Sequence, residues 1–265
     1  MSTPVALSIA GSDPSGGAGL QADLKTFHRF GVYGEAVVTL VTVQNTQRVC
    51  RVEVMPSDLV AEQIRAVIRD IPPKAAKTGA LGNLAVTQAV SEAIAEAAGS
   101  VDFPLVVDPV MAGSRGGVFM DEQTLRAFTS KLLPRAFLLT PNLDEASSLT
   151  GLSVRDPASM FEAGRKLRDM GAANVLVKGG HLEGDAIDVL VTSTGRRIQF
   201  RAPKIDTRHT HGTGCTYSAA ITAGLAKGQD LIQAIRTAKA FVTAAIRTNP
   251  GLGAGSGPLN LFAGK

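Results

Sequence analysis

The densest chemistry in this chain is the run Thr210-His211-Gly212-Thr213-Gly214-Cys215. Two glycines there let the backbone turn sharply and approach a ligand closely. The stretch Thr216-Tyr217-Ser218-Ala219-Ala220-Ile221 behind them reads as a helix. The first N–H groups of a helix lack partners and sit at the positive end of its dipole, so the turn suits an anion such as phosphate. Cys215 in that field is expected to ionise more readily than a free thiol. An anion cradle with a built-in base points to phosphate transfer to a small molecule. These residues alone leave a plain Gly-rich helix start with a buried Cys equally open.

Further polar residues stand where apolar runs end. Gly11-Ser12-Asp13-Pro14-Ser15-Gly16-Gly17-Ala18-Gly19 follows the first run and leads to Asp23. Its Gly17-Ala18-Gly19-Leu20-Gln21-Ala22 segment matches the dinucleotide fingerprint formally, but it lies too far from the preceding run. No ribose-binding carboxylate ends the second run, and a Gly-Lys-Ser/Thr loop is also missing. By spacing alone, Asp23 is as readily an exposed helix-start carboxylate as a ligand contact. Gln44, Asn45 and Thr46 end the second run; an amide offers a donor beside an acceptor, which suits an aminopyrimidine or pyridine edge. Asp108 and the Asn142 to Glu145 stretch place acids at two strand ends, where Mg²⁺ binds through one or two carboxylates plus phosphate oxygens. Lys178-Gly179-Gly180 fits phosphate or nucleotide contact. His209 and His211 flank Thr210, but no other His or Cys lies close in sequence, and no Ser-His-Asp ordering stands out.

The elements that must position these residues alternate. Val5 to Ala10 and Ala36 to Val43 are expected strands, with Leu20, Leu24 and Phe27 at helical spacing between them. Ser57 or Asp58 is the expected cap of a helix whose core face is Val60, Ile64, Val67, Ile68 and Ile71. Leu105 to Val107, Phe137 to Leu139 and Asn174 to Val177 are brief apolar strands, with Asn142 placed as an N-cap. Ala186 to Val191 and Arg197 to Phe200 pair as a hairpin around Thr194-Gly195, and a last helix carries Leu231, Ile235, Ala238, Val242 and Ile246. Such alternation implies a mostly parallel sheet covered on both faces, with ligands beyond the carboxyl ends of its strands.

Composition narrows the classes. The 265 residues show no linker, composition break or repeat, so one domain over 1–265 is expected. Net charge is +4, but the basic residues are scattered, Trp is absent and aromatics make up 5%, which argues against nucleic-acid binding. No stretch reads as a signal peptide or a membrane span, and Cys50 and Cys215 form no disulfide framework. A cytoplasmic location is the expectation.

Taken together, the stretches resemble the ribokinase-like superfamily, and within it the hydroxymethylpyrimidine/phosphomethylpyrimidine kinase branch. The resemblance rests on residues 10–19 with Gln21-Ala22-Asp23-Leu24-Lys25-Thr26, Gln44-Asn45-Thr46, Lys77-Thr78-Gly79 and Asp108-Pro109-Val110-Met111. It continues through Thr140-Pro141-Asn142-Leu143 with Glu145, Lys178-Gly179-Gly180-His181, Thr210 to Thr216, and Gly255-Ser256-Gly257-Pro258-Leu259-Asn260. It implies a three-layer α/β sandwich and ATP- and Mg²⁺-dependent phosphorylation of 4-amino-5-hydroxymethyl-2-methylpyrimidine, then of its monophosphate, by a homodimer. Asp23 and Gln44 would hold the pyrimidine, with Gly11 and Ala80 on the same wall. Mg²⁺ would lie near Asp108 and Glu145. Lys178 would stand on the nucleotide side with Asn142 and Thr210. Cys215 would take the substrate proton beside the Gly212, Thr213 and Gly214 N–H groups.

Two positions depart from the branch pattern. Ala80 stands where Met is common, which widens the pocket wall. The loop after Met111 carries Arg115, a candidate phosphate clamp because Arg binds phosphate bidentately. A pyridoxal or pyridoxine kinase is the rival reading, and a non-catalytic vitamin- or nucleotide-binding regulator is a more distant one.

Overall fold

A computed structural model describes residues 3–98, 103–111 and 120–263. Its strands are β1 Val5–Ser12, β2 Tyr33–Gln44, β3 Val49–Val54, β4 Ala75–Thr78, β5 Leu105–Val107, β6 Leu138–Leu139, β7 Asn174–Val177, β8 Ala186–Val191 and β9 Arg197–Ala202. The helices are α1 Gly19–Arg29, α2 Ser57–Asp70, α3 Leu84–Ala98, α4 Glu122–Ala127, α5 Leu143–Thr150, α6 Pro157–Asp169, α7 Thr213–Ala226 and α8 Leu231–Arg247. The strands form one sheet in the order β3-β2-β1-β4-β5-β6-β7-β8-β9. The run from β2 to β7 is parallel, while β3 at one edge and β8 and β9 at the other are antiparallel.

Burial on both faces explains the short apolar central strands. Every residue of β4, β5, β6 and β7 is buried. One face packs Ile64 of α2, Val90 of α3, Ala146 of α5 and Leu167 of α6 against Ile9 and Val107. The other packs Phe27 of α1, Ile221 of α7 and Ile235 of α8 against Val106 and Leu138. The expected layers and the expected β8–β9 hairpin are therefore present.

Some local expectations change. The residue before α2 is Pro56, with no side-chain cap, and the last residue expected on the core face, Ile71, is 39% exposed at the helix end. Two elements between Ile71 and Leu105 went unread. In β4, Lys77 interrupts the apolar run, and the alanine-rich α3 sets only the narrow stripe Gln88, Glu92 and Glu96 against its apolar face, so its amphipathic pattern is weak.

β1 connects to β2 on one side and to β4, after the β3–α2 excursion, on the other, so the strand order reverses at β1. A crevice opens at such a reversal, beyond the carboxyl ends of the strands.

Candidate active site

The cleft at that reversal holds about 830 Å³. Gly11, Gln44 and Ala80 border it from the ends of β1, β2 and β4. Asp108, Asn142, Glu145 and Lys178 border it from the ends of β5, β6 and β7. Thr210 and Gly212 to Cys215 close it from α7. Asp23 does not border it, and Arg115 lies outside the described residues.

The turn into α7 depends on its glycines. Gly212, the residue before the helix, has φ +80°, and a Cβ there would collide with the Gly17 carbonyl oxygen. A Cβ on Gly214 would come within 3.3 Å of Lys178 Nζ and 3.7 Å of an Asp108 carboxylate oxygen. The helix start is thus pressed against those two side chains. The Thr213 N–H donates to the Thr210 carbonyl at 3.2 Å, so it is not free for a ligand. The N–H groups of Gly214 and Cys215 have no acceptor among the described residues and are left for an anion.

Lys178 Nζ lies 2.8 Å from Asp108 Oδ1, which also accepts from Thr140 Oγ1 at 3.1 Å. Burial works against the Asp108 charge, but Lys178 and Lys77 outweigh it and hold the carboxyl below its ordinary range. Asn142 caps α5 through the Glu145 N–H, and Glu145 Oε2 accepts the Asn142 N–H at 2.8 Å. That reciprocal box follows from an Asn with a Glu three residues on. Burial pushes the Glu145 carboxyl up to about 7, against the pull of Lys178.

Cys215 reverses its expectation. Burial raises its thiol to about 11, with the Asp23 charge adding and Lys77 opposing. A helix terminus favours the thiolate only where it outweighs the loss of water, and here it does not.

Asp23 sits inside α1, fully buried behind the cleft. Its Oδ2 accepts from Lys77 Nζ at 2.8 Å and from Ser8 Oγ at 2.6 Å, while Oδ1 has no partner among the described residues. Burial pushes the Asp23 carboxyl up and also opposes the Lys77 charge, but Asp23, Cys215 and Asp108 together raise Lys77, and the ammonium form is the one we place there. Sequence reasoning quoted Lys77 without a role. The signal was a lysine inside a short apolar strand, which must be paired to be buried.

His211, set aside as a metal ligand, meets Asp13: its Nε2 is 2.8 Å from Asp13 Oδ2. Asp13 also accepts from Ser15 and from the Gly17 and Ala18 N–H groups. Burial resists, yet the bonds from His211 and Ser15 hold the carboxyl down at about 2. The pair ties the loop after β1 to the turn before α7. A depressed carboxyl stabilises the fold above its ordinary pKa of 3.8 and ceases to as pH falls through about 2. The stability gap between wild type and Asp13→Asn in urea should therefore be about 2 kcal/mol at pH 5 and shrink steadily below pH 4. A gap that stays constant down to pH 2.5 would contradict this account.

Strand ends converging on a helix terminus at the reversal of a mostly parallel sheet place this chain among the ribokinase-like phosphotransferases. Solved structures agree. The ADP complex of Bacillus subtilis pyridoxal kinase matches with a TM-score of 0.90 and 37% identity, over 99% of this chain and 98% of that one. A phosphomethylpyrimidine kinase from Clostridium difficile matches with a TM-score of 0.79 and 38% identity, over 91% and 99%. Sequence comparison narrows the class. The chain is 42% identical to a Haemophilus influenzae hydroxymethylpyrimidine/phosphomethylpyrimidine kinase, over 97% of this chain and 96% of that protein. A Streptomyces coelicolor protein of the same name is 43% identical over 97% and 94%. The family described as phosphomethylpyrimidine kinase matches residues 13–260, and the chain belongs to it.

Proposed function

We propose that this cleft transfers the γ-phosphoryl group of ATP to the hydroxymethyl oxygen of 4-amino-5-hydroxymethyl-2-methylpyrimidine, and a second phosphoryl group to the resulting monophosphate, in thiamine biosynthesis. The observation that carries the reading is the approach of the Gly214 backbone to Lys178 Nζ and Asp108. It sets free N–H donors, an ammonium and a carboxylate around one small volume, as stabilising a transferring phosphoryl group requires.

The pyrimidine belongs at the β1–β2–β4 end, where Gly11, Gln44 and Ala80 border the cleft. The Gln44 amide matches an aminopyrimidine edge by pairing a donor with an acceptor. ATP belongs at the other end, beside Asn142, Lys178 and Thr210. Asp108 and Glu145 are the residues that would hold Mg²⁺, and they fit it. Among the described residues, Glu145 Oε1 has no donor, and Asp108 Oδ2 has only Ser218 Oγ at 3.3 Å. No cluster of three metal-ligating side chains occurs among the described residues, so water and phosphate oxygens would complete the shell. The ion would neutralise charge on the phosphates.

With its thiol near 11, Cys215 is not a resting thiolate at neutral pH. Its part is to stand beside the hydroxymethyl group: the thiol first gives its own proton to solvent, and the thiolate then takes the hydroxyl proton as the O–P bond forms. Little basicity is needed if the phosphoryl group is largely detached in the transition state. No helix among the described residues is long and apolar enough to cross a membrane. A single kinase domain, a cytoplasmic location and a homodimer complete the proposal, the last checked by sedimentation.

The test is turnover of hydroxymethylpyrimidine, its monophosphate and pyridoxal with ATP, read as ADP release. Both pyrimidines should be phosphorylated, and turnover of pyridoxal alone would sink the reading. Cys215→Ala should lower kcat about 10²-fold with the KM for ATP little changed, the size of effect a positioned proton acceptor has. A kcat within threefold of wild type would remove Cys215 from the chemistry.

A further inference from the structure

Lys178 owes its position to its backbone, and one end of that support has no role in the reading above. Its own N–H donates to the Pro141 carbonyl at 2.8 Å. On its other side, the Gly179 N–H donates to Asp188 Oδ1 at 3.0 Å, both groups buried. Gly179 packs so closely on β8 that a Cβ would collide with the Ile187 carbonyl oxygen. The turn after β7 is thus fixed by one hydrogen bond from each neighbouring strand end, and Asp188 supplies the second.

The other oxygen of Asp188 reaches further. Oδ2 accepts from Lys239 Nζ at 2.7 Å and from Tyr217 Oη at 2.9 Å. Tyr217 lies on α7, two residues beyond Cys215, and Lys239 lies on α8. Asp188 is 1% exposed, Tyr217 4% and Lys239 9%. Burial and the Asp188 charge hold the Tyr217 phenol protonated, so it remains a donor. One carboxylate therefore joins the Lys178 turn, the helix that carries the anion-binding N–H groups, and the last helix. Replacing a buried ion pair by packed apolar residues is often neutral or stabilising, so stability alone is a weak reason for these charges.

We propose that Asp188 is a positioning residue for phosphoryl transfer, holding the Lys178-Gly179 turn in register with the start of α7 and counterbalanced by Lys239. Asp188 borders the cleft, but both its oxygens are taken up by Gly179, Tyr217 and Lys239, so it acts through Gly179. The proposal rests on the phosphotransferase reading, which wild-type ADP release tests separately.

The decisive comparison is between Asp188→Asn and the double variant Asp188→Leu/Lys239→Met. Asn keeps an acceptor for the Gly179 N–H but leaves the Lys239 charge unmatched. The double variant removes both charges but also removes the acceptor. If Asp188 positions the turn, stability and catalysis rank in opposite orders. The double variant should be the more stable in urea, yet lose about 10²-fold in kcat/KM for ATP, the scale of an ångström-level misplacement. Its KM for hydroxymethylpyrimidine should stay within twofold of wild type, and Asp188→Asn should lose less ATP efficiency. ATP kinetics that follow stability, or a stable double variant with wild-type kinetics, would overturn the proposal. A second readout covers a double variant that does not fold. In the wild-type enzyme the Gly179 amide should exchange with solvent as slowly as the amides of β7, and exchange at the rate of an exposed loop would equally overturn it.

Discussion

Lys178→Met is expected to lower kcat about 10²–10³-fold, the loss seen when one preorganised electrostatic group is removed from a transition state. Two physical consequences act in the same direction. The transferring phosphoryl group loses the ammonium that stands beside the Gly214 backbone. Asp108, 3% exposed, loses the partner that most holds its carboxyl ionised and keeps Thr140, Ser218 and the field of Lys77. Its affinity for a cation and its proton occupancy therefore change together. The KM for hydroxymethylpyrimidine should stay near wild type, because the pyrimidine end proposed above lies across the cleft at Gln44 and Ala80. Lys178→Arg should not rescue the activity. A Cβ on Gly214 would already be 3.3 Å from Nζ, which leaves little room for a planar guanidinium. Steady-state kinetics over both substrates decide the matter. A Lys178→Met enzyme with kcat within tenfold of wild type would mean that the α7 N–H groups and the metal do this work without it.

The same geometry bears on Cys215. A thiol held near 11 is a poor base and a weak nucleophile at rest, so covalent capture of the phosphoryl group by sulfur is disfavoured. In the proposed transfer, the free N–H groups of Gly214 and Cys215 would instead face the charge that develops on the transferring group. Positioning, rather than base strength, is what this turn supplies.

How far the sequence led depends on whether a feature is local. The ends of β1, β2, β5, β6 and β7 were readable because each apolar run stops at a polar residue, and a parallel sheet gathers those ends on one side. Asn142 was readable as a cap because its partner Glu145 is three residues away. Partnerships across the chain were not readable. Lys77 and Asp23 are 54 residues apart, Asp188 and Lys239 are 51, and His211 and Asp13 are 198. Asp23 stood out as a candidate pyrimidine contact and Lys77 as part of the Lys77-Thr78-Gly79 stretch, but only the fold shows which partner each residue is buried against. The Cys215 expectation failed for the same reason. The helix terminus is local and visible in the sequence, whereas the desolvation that outweighs it is set by packing from β1, β4 and α1.

Lys77→Met is the sharpest probe of that hidden layer. It should destabilise the fold by about 3–5 kcal/mol, because removing one partner of a buried ion pair leaves the other charge uncompensated. Asp23 has nowhere else to turn: among the described residues, Ser8 Oγ is its one other donor, and Oδ1 has none. It would have to take up a proton, and Cys215 would lose the ammonium that opposes the rise in its pKa. Adding Asp23→Leu to Lys77→Met should return most of the lost stability, since packed apolar residues often match or exceed a buried ion pair. Urea unfolding of the two single variants and the double gives the coupling between the sites directly. Kinetics on the double variant then separate two roles for Asp23. If the pyrimidine is held by Asp23, the KM for hydroxymethylpyrimidine rises although stability has recovered. If Asp23 serves Lys77, and through it the electrostatics behind Cys215, that KM holds and kcat falls. Burial of the carboxylate behind the cleft makes the second outcome the expected one. A double variant as unstable as Lys77→Met alone would show instead that the pair is needed for packing that apolar side chains cannot supply.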